Sequence, residues 1–215
     1  MKKEEREAHL RNRLSEMKSF ENSLYEKGIK YIGGIDEVGR GPLAGPVCAA
    51  CVVLPEDFTI LGVDDSKKLS EKKREELFTG ICSVALSYGL GFVENARIDE
   101  IGIVPATKEA MNGAVREAGE KLAREGHTIE HLLIDAVDLK ESGIPYSAII
   151  KGDSQSVSIA AASIIAKVSR DRLMYKWDKV YPGYSFSSNK GYGTKAHYEG
   201  LRKLGPCPIH RRTFL

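Results

Sequence analysis

At 215 residues, with 42% apolar side chains, the chain is long and apolar enough to build one sizeable core, which excludes a disordered protein. Its 32 Lys and Arg against 30 Asp and Glu leave a net charge of only +2, so bulk charge makes no case for a polyanionic partner and the placement of charge must carry it. No apolar stretch approaches the roughly 18 residues that span a membrane, and no secretory signal precedes the charged N-terminus, so a cytoplasmic protein without membrane contact is expected.

Residues 3 to 27 are dense in Glu, Lys and Arg and place Leu10, Leu14, Met17, Phe20 and Leu24 at helical spacing, with Gly28 where a C-cap glycine stands. The pattern predicts one amphipathic helix laid on or beside the main domain, with a solvated charged face and no chemistry. Residues 1–28 are thus an N-terminal helical extension and 29–215 the domain proper. Strand-like runs follow at 29–36, 45–54 and 88–95, with a helix opened by Ser70 between the second and third. Cys48 and Cys51 lie three apart on the second run and so face opposite sides, which predicts buried free thiols rather than a redox or zinc pair. A long helix from 105 to about 125 is closed by Gly126, and two runs of strand length come next, at 131–135 and 146–151. An alanine-rich helix covers 156 to about 177, a Gly/Ser/Tyr/Pro loop 181–193, and a short helix 194 to about 204. Early strands that succeed one another as hairpins, and later ones that alternate with helices, indicate an α/β fold with a mixed sheet flanked by helices.

Three predicted strands end in acids: Asp36 with its neighbour Glu37, Asp135, and Asp153 after Lys151 and Gly152. Strand ends at one edge of a sheet converge on a crevice, where α/β proteins place their sites. Adjacent residues on a regular strand point to opposite faces, so Asp36 and Glu37 share a site only if the strand stops there, as Gly39-Arg40-Gly41 implies. Four carboxylates held close raise one another's pKa unless cations neutralise them. All-oxygen ligation suits Mg²⁺ or Mn²⁺, and two such ions match four negative charges and favour in-line phosphodiester displacement. Any one of these acids alone reads more simply as a surface charge or helix cap. Spacing leaves the fourth ligand open among Asp153, Asp171 and Asp138.

The run Ile35-Asp36-Glu37-Val38-Gly39-Arg40-Gly41-Pro42-Leu43-Ala44-Gly45-Pro46 resembles the N-terminal signature of the type 2 ribonucleases H. Further blocks similar to that family follow in its usual order: Asp65-Ser66-Lys67-Lys68-Leu69, Ile134-Asp135, Lys151-Gly152-Asp153, the stretch 161–171, Lys190-Gly191-Tyr192-Gly193-Thr194, and His210-Arg211-Arg212-Thr213-Phe214. An ordered series spanning roughly 29 to 214 is far more specific than a lone glycine motif. The resemblance implies a ribonuclease H-like fold and an endonuclease acting on RNA/DNA hybrids and on ribonucleotides embedded in duplex DNA. It implies cleavage on the 5′ side of the ribonucleotide, leaving 3′-hydroxyl and 5′-phosphate ends, with two divalent ions held by Asp36, Glu37, Asp135 and Asp153. It also implies that Gly39, Arg40 and Gly41 contact the ribonucleotide through backbone groups, while Tyr192 stacks on the sugar of the next deoxynucleotide.

Glycines allow the close backbone approach that reading a single 2′-hydroxyl demands, and a tyrosine between glycines is free to stack on any nucleotide. Lys67 and Lys68, Lys167 with Arg170, Lys190, and Arg211 with Arg212 are candidate phosphate contacts. Lys167 and Arg170, three apart on a helix, would form a joint clamp that Ser163 could join. His197 and His210 show no zinc-like spacing and read as surface or structural. A related DNA endonuclease or integrase-like enzyme would use the same acids without ribose selectivity. A non-catalytic hybrid-binding module would be expected to lack at least one of them. The protein is expected to act as a monomer.

Overall fold

The computed structural model describes residues 3–215. Strands β1 (Ile32–Val38), β2 (Val47–Val53), β3 (Ser87–Val93), β4 (His131–Asp135) and β5 (Tyr146–Ile149) form one sheet in the order β3-β2-β1-β4-β5. The pairs β1/β2 and β2/β3 are antiparallel, and β1/β4 and β4/β5 are parallel, giving the mixed sheet that the succession of hairpins and helices predicts.

Eight helices surround it: α1 (Lys3–Met17), α2 (Ser19–Tyr25), α3 (Glu71–Val84), α4 (Asn95–Ile101), α5 (Ile103–Ala123), α6 (Val157–Val180), α7 (Phe186–Asn189) and α8 (Lys195–Leu204), counted among the described residues. Strand alternation divides the core in two. Cys48, Ala50 and Val52 pack with α6 and α3 on one face, while Ala49, Cys51 and Val53 pack with α5 on the other. The two cysteines therefore lie on opposite faces as buried free thiols. Missing side chains bring the helices close: a Cβ on Gly34 of β1 would stand 2.1 Å from the backbone of Ser158, and one on Gly91 of β3 would stand 1.9 Å from the carbonyl oxygen of Ala110. None of the described helices is long and apolar enough to cross a membrane.

Helix starts follow the capping chemistry. Ser70, Ser156 and Thr194 accept hydrogen bonds from the backbone N–H groups of Lys73, Ile159 and His197. Three elements differ from expectation, one of them the single turn α7 inside the loop expected over 181–193. The predicted helix over 3–27 is two, broken at Lys18, whose ammonium donates to the carbonyl of Glu56. The break lets Leu14 and Met17 join the β2–α6 core while Leu24 packs with Ile32, Leu133 and Ile149. Short α4 was unforeseen because a single residue, Ile98, is buried along it and no periodic stripe marks it.

The N-terminal charged face is not wholly solvated either. Glu21 is buried and accepts from the Ser156 hydroxyl and the Ser158 N–H, which places a carboxylate at the N-terminus of α6. Burial raises its pKa despite those donors. Arg13 reaches the carbonyl of Ser154 at 2.7 Å and pairs with Asp64 at 3.3 Å, so α1 braces the loop that carries Asp153.

Candidate active site

Parallel pairing builds the acidic edge. Ile35 of β1 is in register with Ile134 of β4, and one residue further on each strand come Asp36 and Asp135. Asp135 in turn pairs with Ile149 of β5, which leads directly into Lys151, Gly152 and Asp153. Strand β1 does not stop at Asp36, contrary to the condition set by its alternation. It remains paired to β2 through Val38, but its pairing with β4 ends at Ile35, so its last residues have β2 on one side only. Glu37 interacts electrostatically with both Asp36 and Asp135 there.

The electrostatics are those of crowded acids. Burial drives the Asp36 carboxyl well above the ordinary range, and repulsion from Glu37 and Asp135 adds to it. Glu37 is raised by burial and by Asp135, against the opposing pull of Arg40. Asp153 is raised by burial, then by Asp65 and Asp135, against the ammonium of Lys67. Lys67 sits 3.3 Å from Asp153, and Arg40 lies 3.2 Å from Glu37. Backbone donors hold the other two: the Glu37 N–H donates to Asp36 and the Gly152 N–H to Asp135, both at 2.8 Å. The other two candidates for the fourth acid have partners of their own. Asp171 is engaged by Lys167 at 2.8 Å, and Asp138 is bound at the surface by the Tyr146 hydroxyl.

Beside the acids, β1 turns into a loop held from beneath. Gly39 has φ +93°, and a Cβ there would strike Arg170 at 2.3 Å, so this glycine is demanded by packing. Gly41 is different. A Cβ on it would rest in ordinary contact with the Tyr192 ring, at 3.8 Å, and meet nothing else, so Gly41 lies beside an exposed tyrosine. Arg211 is fully buried and donates to the carbonyls of Gly39, Arg40 and Gly45. The loop is thereby fixed with its upper surface free. Gly41→Val should leave the melting temperature within a few degrees of wild type yet cut kcat/KM on a ribonucleotide-containing duplex by about tenfold or more, because the branched side chain covers that surface. Unchanged kcat/KM would reduce Gly41 to a turn residue.

Several expected contacts are corrected. Arg170 is fully buried and donates to the carbonyls of Ala44, Pro46 and Lys190, so it forms no phosphate clamp with Lys167. Arg211 is removed from the phosphate contacts for the same reason. Ser163 is buried rather than surface-facing: its hydroxyl is 2.8 Å from that of Ser66, and it helps to hold down the Asp36 pKa against burial. Lys190 lies over the Tyr175 ring with its ammonium bonded to Ser187. Lys67 and Arg40 remain solvent-facing, and Lys167 is half-buried against Asp171.

Among the described residues, no three His, Cys, Asp or Glu side chains form a ready-made metal cage. Lys67 and Arg40 occupy two of the four carboxylates. The donor set nevertheless fits a hard cation: it is all oxygen, its acids repel one another, and Glu37 Oε2 is buried with no hydrogen-bond partner.

Acids gathered at one edge of a mixed sheet of this order belong to an α/β fold of the ribonuclease H-like class. Structures of that class superpose on it: ribonuclease H2 of Pyrococcus horikoshii, with TM-score 0.67 and 27% identity over 85% of this chain and 93% of that one, and the ribonuclease HII of Archaeoglobus fulgidus in its complex with PCNA, with TM-score 0.70 and 27% identity over 86% and 95%. The Ribonuclease HII family model matches residues 33–215, and the Ribonuclease HII of Caldanaerobacter subterraneus subsp. tengcongensis is 54% identical over 203 residues, 94% of this chain and 81% of that protein. The chain belongs to the ribonuclease HII family, whose activity is hydrolysis of RNA in RNA/DNA hybrids.

Proposed function

We propose that the protein cuts on the 5′ side of a ribonucleotide, in a hybrid or as a single residue in duplex DNA, and leaves 3′-hydroxyl and 5′-phosphate ends. The observation that carries this reading is the open face of Gly41 next to Tyr192, immediately beside the acidic edge. A sugar seated over Gly41 next to the Tyr192 ring presents its 2′-hydroxyl to fixed backbone groups of Gly39, Arg40 and Gly41. Tyr192 meets the following sugar by stacking, which tolerates any base. Lys67, exposed beside Asp153, and Lys167 face the phosphates.

Asp36, Glu37, Asp135 and Asp153 would hold two Mg²⁺ or Mn²⁺ ions. Bound there, the ions supply positive charge to the attacking and leaving oxygens of an in-line displacement. The chain's own part is to orient. The Glu37 N–H aims Asp36, the Gly152 N–H aims Asp135, and Arg13 steadies the Asp153 loop.

The deciding experiment is cleavage of a duplex carrying one ribonucleotide against the same duplex in all-DNA form, each in Mg²⁺ and in EDTA. Cutting confined to the first duplex in Mg²⁺ is expected; cutting of the all-DNA duplex would instead favour a ribose-blind endonuclease. Tyr192→Ala should lower kcat/KM on the single-ribonucleotide duplex by roughly fivefold to hundredfold, the equivalent of a stacking contact worth ~1–3 kcal/mol. Tyr192→Phe keeps the ring and should lose much less. An all-RNA strand offers a ribose in place of the deoxyribose and should depend less on the ring. Wild-type activity of Tyr192→Ala on the junction would return Tyr192 to an ordinary loop residue.

A further inference from the structure

Away from the acids, His197 on α8 and His210 in the C-terminal segment form a buried pair, with Nε2 to Nε2 at 2.9 Å. His197 Nδ1 lies 3.0 Å from the Tyr192 carbonyl oxygen, and the Cys207 N–H donates to His210 Nδ1 at 2.9 Å. These contacts determine the protons. A carbonyl only accepts, so His197 Nδ1 carries a hydrogen and its Nε2, in the neutral ring, is bare. The Cys207 N–H only donates, so His210 Nδ1 is bare and its Nε2 carries the hydrogen that His197 accepts. The Cys207 carbonyl, 3.2 Å from the same Nδ1, would favour the other tautomer, but that would set two bare nitrogens against each other across the pair. The relay therefore runs one way, from Cys207 through His210 and His197 to Tyr192, with both rings neutral. Burial acts in the same sense, lowering His197 and taking His210 down to about 4. The rings of Tyr184 and Phe186 pack against both imidazoles.

The next residue in the chain, Arg211, holds the adjoining glycine loop through the carbonyls of Gly39 and Arg40. We propose that His210 and Arg211 act together as one positioning element for sugar recognition: His210, through His197, sets the main chain of Tyr192, while Arg211 sets the glycine loop beside it. Neither touches substrate. Two adjacent residues thus fix Gly41 and Tyr192 relative to one another, and the C-terminal segment holds both. The inference rests on the reading of Tyr192 as a substrate contact.

The test is a double-substitution cycle on the single-ribonucleotide duplex, with melting temperatures recorded for every protein. His197→Phe keeps a ring in the cavity and removes both hydrogen bonds. It should lose most of what Tyr192→Ala loses, roughly fivefold to hundredfold in kcat/KM. The double variant should then be no worse than Tyr192→Ala within about twofold, because both changes remove one interaction. His197→Asn fills the cavity less well but restores an amide donor toward the Tyr192 carbonyl, so it should retain more activity than His197→Phe even where it melts lower. A packing role alone predicts the reverse order. Losses that multiply in the double variant would overturn the positioning role while sparing the Tyr192 contact. Full activity of Tyr192→Ala would overturn both.

Discussion

Asp36→Asn is expected to reduce cleavage more than about hundredfold, since losing even an outer partner of a metal ligand commonly costs about 10–100-fold. The same substitution should make the metal-free protein more stable. Asp36 is buried beside Glu37 and Asp135, and its carboxyl is held well above the ordinary range, so keeping it ionised at neutral pH opposes folding. Asparagine keeps the oxygen that accepts from the Glu37 N–H and discards the charge. Each kcal/mol of relief raises the melting temperature by roughly 2–4 °C in a chain of this length. The pH dependence has a definite sign. An acid whose folded pKa exceeds its unfolded value binds more protons when folded, so stability falls as pH rises through the window between them. In EDTA, wild type should therefore lose stability as pH rises above the ordinary carboxylate range, and Asp36→Asn should lose less. Turnover near wild type in Mg²⁺, or a lower melting temperature in EDTA, would remove Asp36 from the proposed centre.

Arg211→Lys should be nearly as damaging to activity, by a structural route. The guanidinium is fully buried and bonds three carbonyls in three directions: Gly45 from Nε at 2.9 Å, Arg40 from Nη1 at 2.8 Å, and Gly39 from Nη2. A lysine ammonium has neither the reach nor the planar fork to replace it. Burial, with repulsion from Arg170, already lowers Arg211 to about 9, so the less basic lysine would be hard to keep charged there. Leaving two buried carbonyls unmet costs about 2–4 kcal/mol, equivalent to a fall of about 5–15 °C in melting temperature. Misplacing the loop by ~1 Å would lower kcat/KM at a single ribonucleotide about hundredfold. Calorimetry and cleavage measured on one preparation check both, and a variant matching wild type in each would show that the loop holds itself.

Asp36 and Asp135 were legible as candidates because each follows an apolar run of strand length, whereas Asp153 was chosen over Asp171 and Asp138 only through the family resemblance; the glycine loop was legible because Gly39 and Gly41 interrupt β1's pattern. Ser163, Arg170 and Arg211 were misread as outward-facing for one reason. Polar residues in a helix or tail read as solvated unless a stripe shows otherwise. The first half of α6, with Ser163, is buried almost all round between the sheet and α3, so no amphipathic boundary marks it, and Arg170 and Arg211 turn inward only because distant carbonyls stand unpaired there. The relay through His197 and His210 left no sequence signal, since the two imidazoles meet only once the C-terminal segment folds against α8 and their outer partners are backbone groups.

The sequence by itself determined the five strands, the long helices, the start at Ser70, the opposite facing of Cys48 and Cys51, and the candidate acids. All of these depend on neighbours a few residues away, through the periods of helix and strand and the local reach of a capping side chain. Tertiary structure alone decided that Asp36 stands beside Asp135, because that follows from the parallel register of Ile35 with Ile134 across a crossover. It also decided that Gly41 lies beside Tyr192, and that Arg170 and Arg211 turn inward to carbonyls the chain supplies from far away. A buried donor takes whichever acceptors the packed core leaves unpaired, and that choice exists only once the layers have closed.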